Sequence, residues 1–293
     1  MNTLETWTYF KGQWQQGSVP LMMTTTNAAW LGNTVFDGAR YFEGVTPDIE
    51  HHCARVVASA QTLNMRPFLT ADEIVNMVKV GCRHFEPSKA LYIRPMYWIE
   101  DGMGASLPDS TKFALVIQAV PMPDPKQGFS ACLSSLQKPH PNTAPTRAKA
   151  TCLYPQLNLA LHQAKQKGFD NAVMLDADGN VAEFTMQNLM YVKDGVIFTP
   201  APNGMLLNGI TRQRSIGLLK ELGYDVVEKT VKPDELVDAD EIISTGNHGK
   251  IIPCTRYEDR TLPQGPVYQN LREAYWKFAL SGESRPLIIE AAK

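Results

Sequence analysis

Apolar positions along this chain switch between a spacing of two and a spacing of three to four, which predicts strands and helices in alternation. "TWTYFKGQW" (6–14) predicts a hairpin with Lys11-Gly12 at its turn. "HHCARVVASAQTLNM" (51–65) puts Val56, Val57, Ala60 and Leu63 on one helical face. In "LTADEIVNMVKVGCRHF" (69–85), Thr70 and Glu73 have capping-box spacing, and Ile74, Met77, Val78 and Phe85 follow at helical intervals. "ALYIRPMYWI" and "KFALVIQAV" are rich in β-branched and aromatic residues and predict strands. "PMPDPKQG" (121–128), with three prolines and a glycine, reads as a linker.

Beyond it, strand-like "FSACLSSL" leads to a helix with an expected apolar stripe of Leu153, Leu157, Leu161 and Ala164, with Pro155 in the first turn and Gly168 past the last. "NAVMLD" and "NVAEFT" flank "DADG", and "LMYVK" and "VIFTP" flank "DG", so both pairs read as antiparallel hairpins. Then follow helix "GITRQRSIGLLKELG", closed by Gly223, strands "YDVVEKTV" and "DEIIST", and a final helix "NLREAYWKFALSG". The expectation is an α+β protein with helices on largely antiparallel sheets. It divides into a small N-terminal domain over 1–119, a linker over 120–128 and a larger domain over 129–293.

Composition narrows the function classes. The chain has 293 residues, 44% apolar and 20% charged, as in an ordinary globular protein. A formal charge of −2 without a basic run speaks against nucleic acid or an anionic membrane surface as the partner. The five cysteines are scattered, with no C-x-x-C pair, which predicts a reduced, cytoplasmic protein. Neither a signal-peptide pattern nor an apolar run of about 20 residues is visible.

The common chemical motifs fall away in turn. "DADGN" (176–180) lacks the rest of a calcium loop and reads as a turn. The histidines and cysteines show no metal-ligand spacing, so no metal is expected. G-x-S-x-G, the P-loop and G-x-G-x-x-G are all missing. What remains is Lys149, set among small residues in "TRAKATCLY" (146–154), the carboxylate of Glu183 in "VAEFT", and two Gly-containing turns, "LLNGITR" and "STGNHG". Singly, each has an ordinary structural explanation: a surface lysine, a solvent-facing strand residue, a helix cap and a turn. Together they fit one cofactor. Pyridoxal phosphate needs a lysine for its Schiff base, a carboxylate for its ring nitrogen and a cradle of N–H groups for its phosphate.

"VFDGARYFEG", "YIRP", "RAKATCLY", "EFTMQNL", "LLNGITR" and "STGNHGKIIP" occur in the order and spacing of the class IV aminotransferases. The chain most resembles their branched-chain branch, from about residue 7 to the final helix. The resemblance implies the two-domain fold of that class (pyridoxal-phosphate fold type IV, shared by D-amino acid and branched-chain enzymes), with the larger domain binding the cofactor. It makes Lys149 the Schiff-base lysine and proton shuttle, its pKa lowered by burial and the nearby cofactor, and pairs Glu183 with the ring nitrogen. Arg55 would hold the phosphate, Tyr154 the ring hydroxyl, and Leu207 would pack on the ring. Gly209, Ile210 and Thr211 would cradle the phosphate, as would the turn of Thr245, Gly246 and Asn247, where the family has Gly-Thr at the last two positions. The substrate would meet Leu31, Phe36, Arg40, Tyr92, Arg94, Trp98, Met103, Ala105 and His248. An amino donor and a keto-acid acceptor would react in ping-pong order on a homodimer.

Departures from the pattern leave the substrate open. Leu31 stands where the branched-chain enzymes have a tyrosine, Asp37 replaces a glutamate, and the loop in "MYWIEDGMGA" is one residue short. A branched-chain transaminase, an (R)-selective amine or D-amino acid transaminase, an aminodeoxychorismate-type lyase and a non-catalytic binding protein are the alternatives. The pair of Arg40 and Arg94 disfavours the lyase, and the complete set of lysine, glutamate and phosphate cradle disfavours the binding protein.

Overall fold

Lys11 and Gly12 both take positive φ, 51° and 85°, the geometry of a tight two-residue hairpin turn. They join β1 (Thr6–Phe10) to β2 (Gln13–Gln16) in a computed structural model that describes residues 4–287. The chain forms two compact units. One holds the residues up to Met122 together with Arg147–Leu153, and the other holds Pro123–Thr146 and the residues from Tyr154 onward. The stretch containing Lys149 therefore goes with the first unit, although it lies beyond the 120–128 segment in sequence.

In the first unit, β1 and β2 are followed by α1 (Asn27–Leu31), β3 (Thr34–Phe36), β4 (Ala39–Tyr41), α2 (Ile49–Thr62), α3 (Ala71–Cys82), β5 (Leu91–Ile99) and β6 (Thr111–Ala119). The sheet runs β2-β1-β6-β5-β3, with β4 also on β5, and every pairing is antiparallel. Alternation along β5 sorts its side chains. Ile93, Tyr97 and Ile99 enter one core with Val56 and Ala60 of α2 and Ile74 and Val78 of α3. Trp98 faces the other way, packed with Ala28, Ala114, Phe10 and Met96. The capping box at the start of α3 is formed: Glu73 N–H donates to Thr70 Oγ1 at 3.2 Å, and Thr70 N–H donates to Glu73 Oε2 at 2.7 Å.

The second unit contains β7 (Phe129–Gln137), α4 (Tyr154–Gln166), β8 (Asn171–Leu175), β9 (Val181–Phe184), β10 (Asn188–Lys193), β11 (Val196–Pro200) and α5 (Ile210–Glu221). It continues through β12 (Val226–Lys229), α6 (Pro233–Val237), β13 (Glu241–Gly246), β14 (Lys250–Tyr257), β15 (Arg260–Thr261) and α7 (Pro266–Ser281). Its sheet runs β12-β11-β10-β13-β14-β7-β8-β9, with β15 on β14. Both predicted hairpins, β8–β9 and β10–β11, are antiparallel, while β11–β12, β14–β7 and β7–β8 are parallel. The α4 stripe differs from its sequence pattern. Leu157, Ala160 and Ala164 are its buried residues, and Leu153 lies in a 3-10 turn that packs on the core of the first unit. Pro155 starts the helix later than the leucine spacing suggests, because proline suits a first turn.

No helix among the described residues is long and apolar enough to cross a membrane. The described residues contain no group of three or more His, Cys, Asp or Glu placed to hold a metal ion.

Candidate active site

In the first unit, residues 147–153 run beside β3. Ala150 bridges Val35, the Phe36 N–H donates to the Lys149 carbonyl at 3.1 Å, and the Lys149 N–H donates to Ser59 Oγ at 3.1 Å. Thr151 Oγ1 adds a bond to the Thr34 carbonyl at 3.2 Å. Ala148 and Ala150 are buried in the core, where only small side chains suit so close a backbone approach, and Lys149 between them is half-buried with Nζ 5.1 Å from the Phe36 ring centre. Small neighbours thus fix the backbone while the lysine projects with the opposite phase.

The same unit gathers most of the expected substrate residues on one sheet face. Phe36 pairs with Met96, and Arg40 with Tyr92, so these side chains share the face of Arg94 and Trp98 along β5. Arg94 and Tyr92 are half-buried. Arg40 is fully buried: Nη2 donates to the Pro121 carbonyl at 2.9 Å, Nε and Nη2 approach Met122 Sδ at 3.1 and 2.8 Å, and Nη1 has no hydrogen-bond partner. Burial pushes its pKa down to about 10. Trp98 is buried, with Nε1 donating to Glu100 Oε2 at 2.8 Å. Leu31 at the end of α1, and Met103 and Ala105 in the loop between β5 and β6, stand exposed.

Arg55 on α2 makes a bidentate pair with Asp37, Nε to Oδ2 at 2.6 Å and Nη2 to Oδ1 at 2.9 Å, while His52 Nδ1 lies 2.7 Å from Oδ1. Burial alone would raise the Asp37 carboxyl, but Arg55 and His52 hold it well below the usual carboxylate range. Sequence reasoning singled out Asp37 only as a replacement and missed His52, whose spacing of three from Arg55 on a helix was the available signal.

In the second unit, buried Glu183 lies on β9 opposite Met174. Lys138 Nζ pairs with its Oε1, and Asn188 Nδ2 donates to its Oε2 at 2.9 Å. Asn188, also missed from sequence although it stands in "EFTMQNL", is a hub: Nδ2 donates to the Leu207 carbonyl at 2.8 Å, and Oδ1 accepts from the Gly209 N–H at 3.1 Å. A Cβ on Gly209 would sit 2.0 Å from Asn188 Oδ1, so any larger residue there would displace the Asn188 amide. Gly209 is the N-cap of α5. The first helical bond runs from the Gln213 N–H to the Gly209 carbonyl, which leaves the N–H groups of Ile210, Thr211 and Arg212 outside the helix ladder.

Asn188 is also in register with Thr245 of β13, bringing the second turn beside the first. Thr245 is buried with no hydrogen-bond partner on Oγ1, and Asn247 Nδ2 is likewise buried without one. Partnerless buried donors beside a helix start suit a phosphate dianion, so the residues present fit the cofactor named by the motifs. Tyr154, the first residue of α4, packs on the cluster of Leu157, Ala160 and Met174, Leu207 is half-buried, and His248 is exposed.

Comparison with known proteins gives a consistent result. The family model described as amino-transferase class IV matches residues 34–257. A branched-chain-amino-acid aminotransferase of Pseudomonas aeruginosa is 33% identical over 280 residues, covering 90% of this chain and 89% of the relative. The crystal structure of an aminotransferase from Brucella abortus bound to the cofactor PLP has a TM-score of 0.92 and 46% identity, covering 94% of this chain and 99% of that one. The branched-chain amino acid aminotransferase of Escherichia coli has a TM-score of 0.86 and 29% identity, with 96% of each chain covered.

Proposed function

This chain belongs to the class IV aminotransferases and is an enzyme of that kind, and we propose that it uses pyridoxal 5'-phosphate to move an amino group between an apolar, branched-chain-like amino acid and a 2-oxo acid in ping-pong order. The observation that carries this reading lies in the second unit. A buried carboxylate, Glu183, is tied through Asn188 to a helix start and a turn whose donors have no protein acceptor.

When bound, the cofactor supplies an electron sink for the carbanion left as a Cα proton departs. Lys149 Nζ is the base that takes this proton and returns it. Glu183, flanked by Lys138 and Asn188, would hold the proton at the ring nitrogen. Tyr154 would donate to the ring hydroxyl and Leu207 would pack on the ring. Arg55, the N–H groups of Ile210 and Thr211 after Gly209, and the turn of Thr245, Gly246 and Asn247 would hold the phosphate. Phe36 supplies apolar surface and Arg94 a fork for the substrate carboxylate, with Tyr92 and Trp98 on the same face. Leu31, Met103, Ala105 and His248 complete the substrate residues of this reading.

The visible spectrum of the loaded protein tests it. A yellow band that fades with L-leucine or L-valine supports the reading, and a protein that never takes up the cofactor refutes it. A second reading, an (R)-selective amine or D-amino acid transaminase, is favoured by Arg40, which is fully buried and spends Nε and Nη2 on Pro121 and Met122, leaving the half-buried Arg94 as the carboxylate fork. Fading only with an (R)-arylalkylamine or a D-amino acid selects it. The working form in this proposal is a homodimer in the cytoplasm. Five free cysteines support that compartment, and sedimentation velocity showing a monomer would remove the dimer.

A further inference from the structure

Lys250 is buried at 1% exposure and takes a φ of 62°, the left-handed region that favours glycine. It pairs with Gly246 across the β13–β14 turn, whose tip is residues 247–249. A lysine is seldom buried unless its amine is partnered. Here Nζ donates to Asn247 Oδ1 at 2.6 Å and lies 5.8 Å from the centre of the Tyr275 ring.

That bond sets the polarity of the asparagine. A lysine ammonium only donates, so Asn247 must offer it the carbonyl oxygen and turn Nδ2 the other way. Nδ2 is the buried atom without a hydrogen-bond partner, and Thr245 Oγ1, two residues earlier, is in the same condition. Two unmet donors and a strained backbone within six residues mark a place organised for a ligand.

We propose that Lys250 is a positioning residue for the cofactor phosphate: it locks the Asn247 amide so that Nδ2 donates to a phosphate oxygen beside Thr245 Oγ1. The inference rests on the reading of this turn as a phosphate cradle. It accounts for a chain with Gly246-Asn247 where the family has Gly-Thr. A hydroxyl rotates to present its hydrogen, whereas an amide has a donor end and an acceptor end and must be oriented. Lys250 supplies that orientation.

The test compares pyridoxal phosphate with pyridoxal, which lacks the phosphate, for binding to the cofactor-free full chain. N247D keeps an acceptor for Lys250, and therefore the fold, but sets a negative charge toward the phosphate. It should weaken pyridoxal phosphate by about tenfold or more and leave pyridoxal unchanged. K250M, which is apolar and suits a buried site, should weaken pyridoxal phosphate alone by about threefold to tenfold, because the amide loses its orientation. In an N247T background the rotating hydroxyl replaces the amide, and K250M should then have no further effect on pyridoxal phosphate. Equal losses for both ligands, no loss for either, or an undiminished K250M effect in N247T would overturn the role of Lys250. A wild-type chain that takes up neither ligand overturns the cofactor reading itself, and the inference with it.

Discussion

Two buried carboxylates, one in each unit, are held by a cation and a second partner, yet the proposed function gives them opposite jobs. Asp37 takes both donors from one face of α2, since His52 and Arg55 are three residues apart. Its oxygens are occupied by a bidentate guanidinium, an imidazole and the Gly38 N–H at 2.7 Å, so the carboxylate serves to aim Arg55. Glu183 draws its partners from two different elements, Lys138 after β7 and Asn188 at the start of β10, and Asn188 goes on to hold the loop before α5. A carboxylate clamped by two side chains of one helix fits a positioning device. One coupled to a loop that ends in N–H groups outside the helix ladder fits the binding surface proposed above. Burial alone does not separate the two; the origin of the donors does.

The largest expected effect is at neither carboxylate. Lys149→Ala should lower turnover by about a thousandfold or more, because the proposed function makes this lysine both the covalent anchor and the base. Retained activity in stopped assays with L-leucine would leave the two carboxylates with no reaction to share.

Asp37→Asn comes next and tests the clamp. It leaves Arg55 and His52 facing a neutral amide and should destabilise the protein by about 3 kcal/mol in urea unfolding at neutral pH. The Asp37 carboxyl is held below its usual range, so its contribution is complete above the unfolded-chain value of about 4 and is lost as acid takes the pH down toward the folded value. The gap between wild type and variant should accordingly close below about pH 4, and a gap that instead widens there would show that Asp37 is no such clamp. Glu183→Gln is the matching change in the second unit. It should shift the cofactor band and lower turnover by about a hundredfold with little loss of cofactor affinity, whereas Asp37→Asn should lower affinity and leave the band in place. Exchanged signatures would reverse the assignment of the two carboxylates.

Much of the scaffold could be read in the chain because its causes are local. The Lys11-Gly12 turn, the Thr70–Glu73 box and the antiparallel hairpins β8–β9 and β10–β11 depend on residues within a few positions of one another. The half-buried lysine between two buried alanines was visible in the same way, as a phase pattern. What escaped depends on sheet order. Lys138 reaches Glu183 because β7, β8 and β9 are neighbours in the second sheet, and Asn188 lies beside Thr245 because β10 pairs with β13, 57 positions later in the register. Leu153 matched the stripe of α4 by spacing, but its backbone belongs to a turn packed on the other core. Periodicity reports which face a residue occupies, not which element covers it.

The smallest effect supplies the control. Thr70→Ala removes an oxygen that accepts the Glu73 N–H at 3.2 Å and donates to Glu73 Oε2 at 2.8 Å on the exposed start of α3. It should cost about 1 kcal/mol of stability, read as a lower unfolding midpoint. Because the cap touches neither carboxylate, the cofactor band, the cofactor affinity and the closing of the Asp37 gap in acid should all match wild type. A Thr70→Ala protein that also lost affinity would mean that general loosening of the first unit is enough to release Arg55. The affinity loss in Asp37→Asn would then say nothing particular about the clamp, and the contrast between the two carboxylates would rest on Glu183 alone.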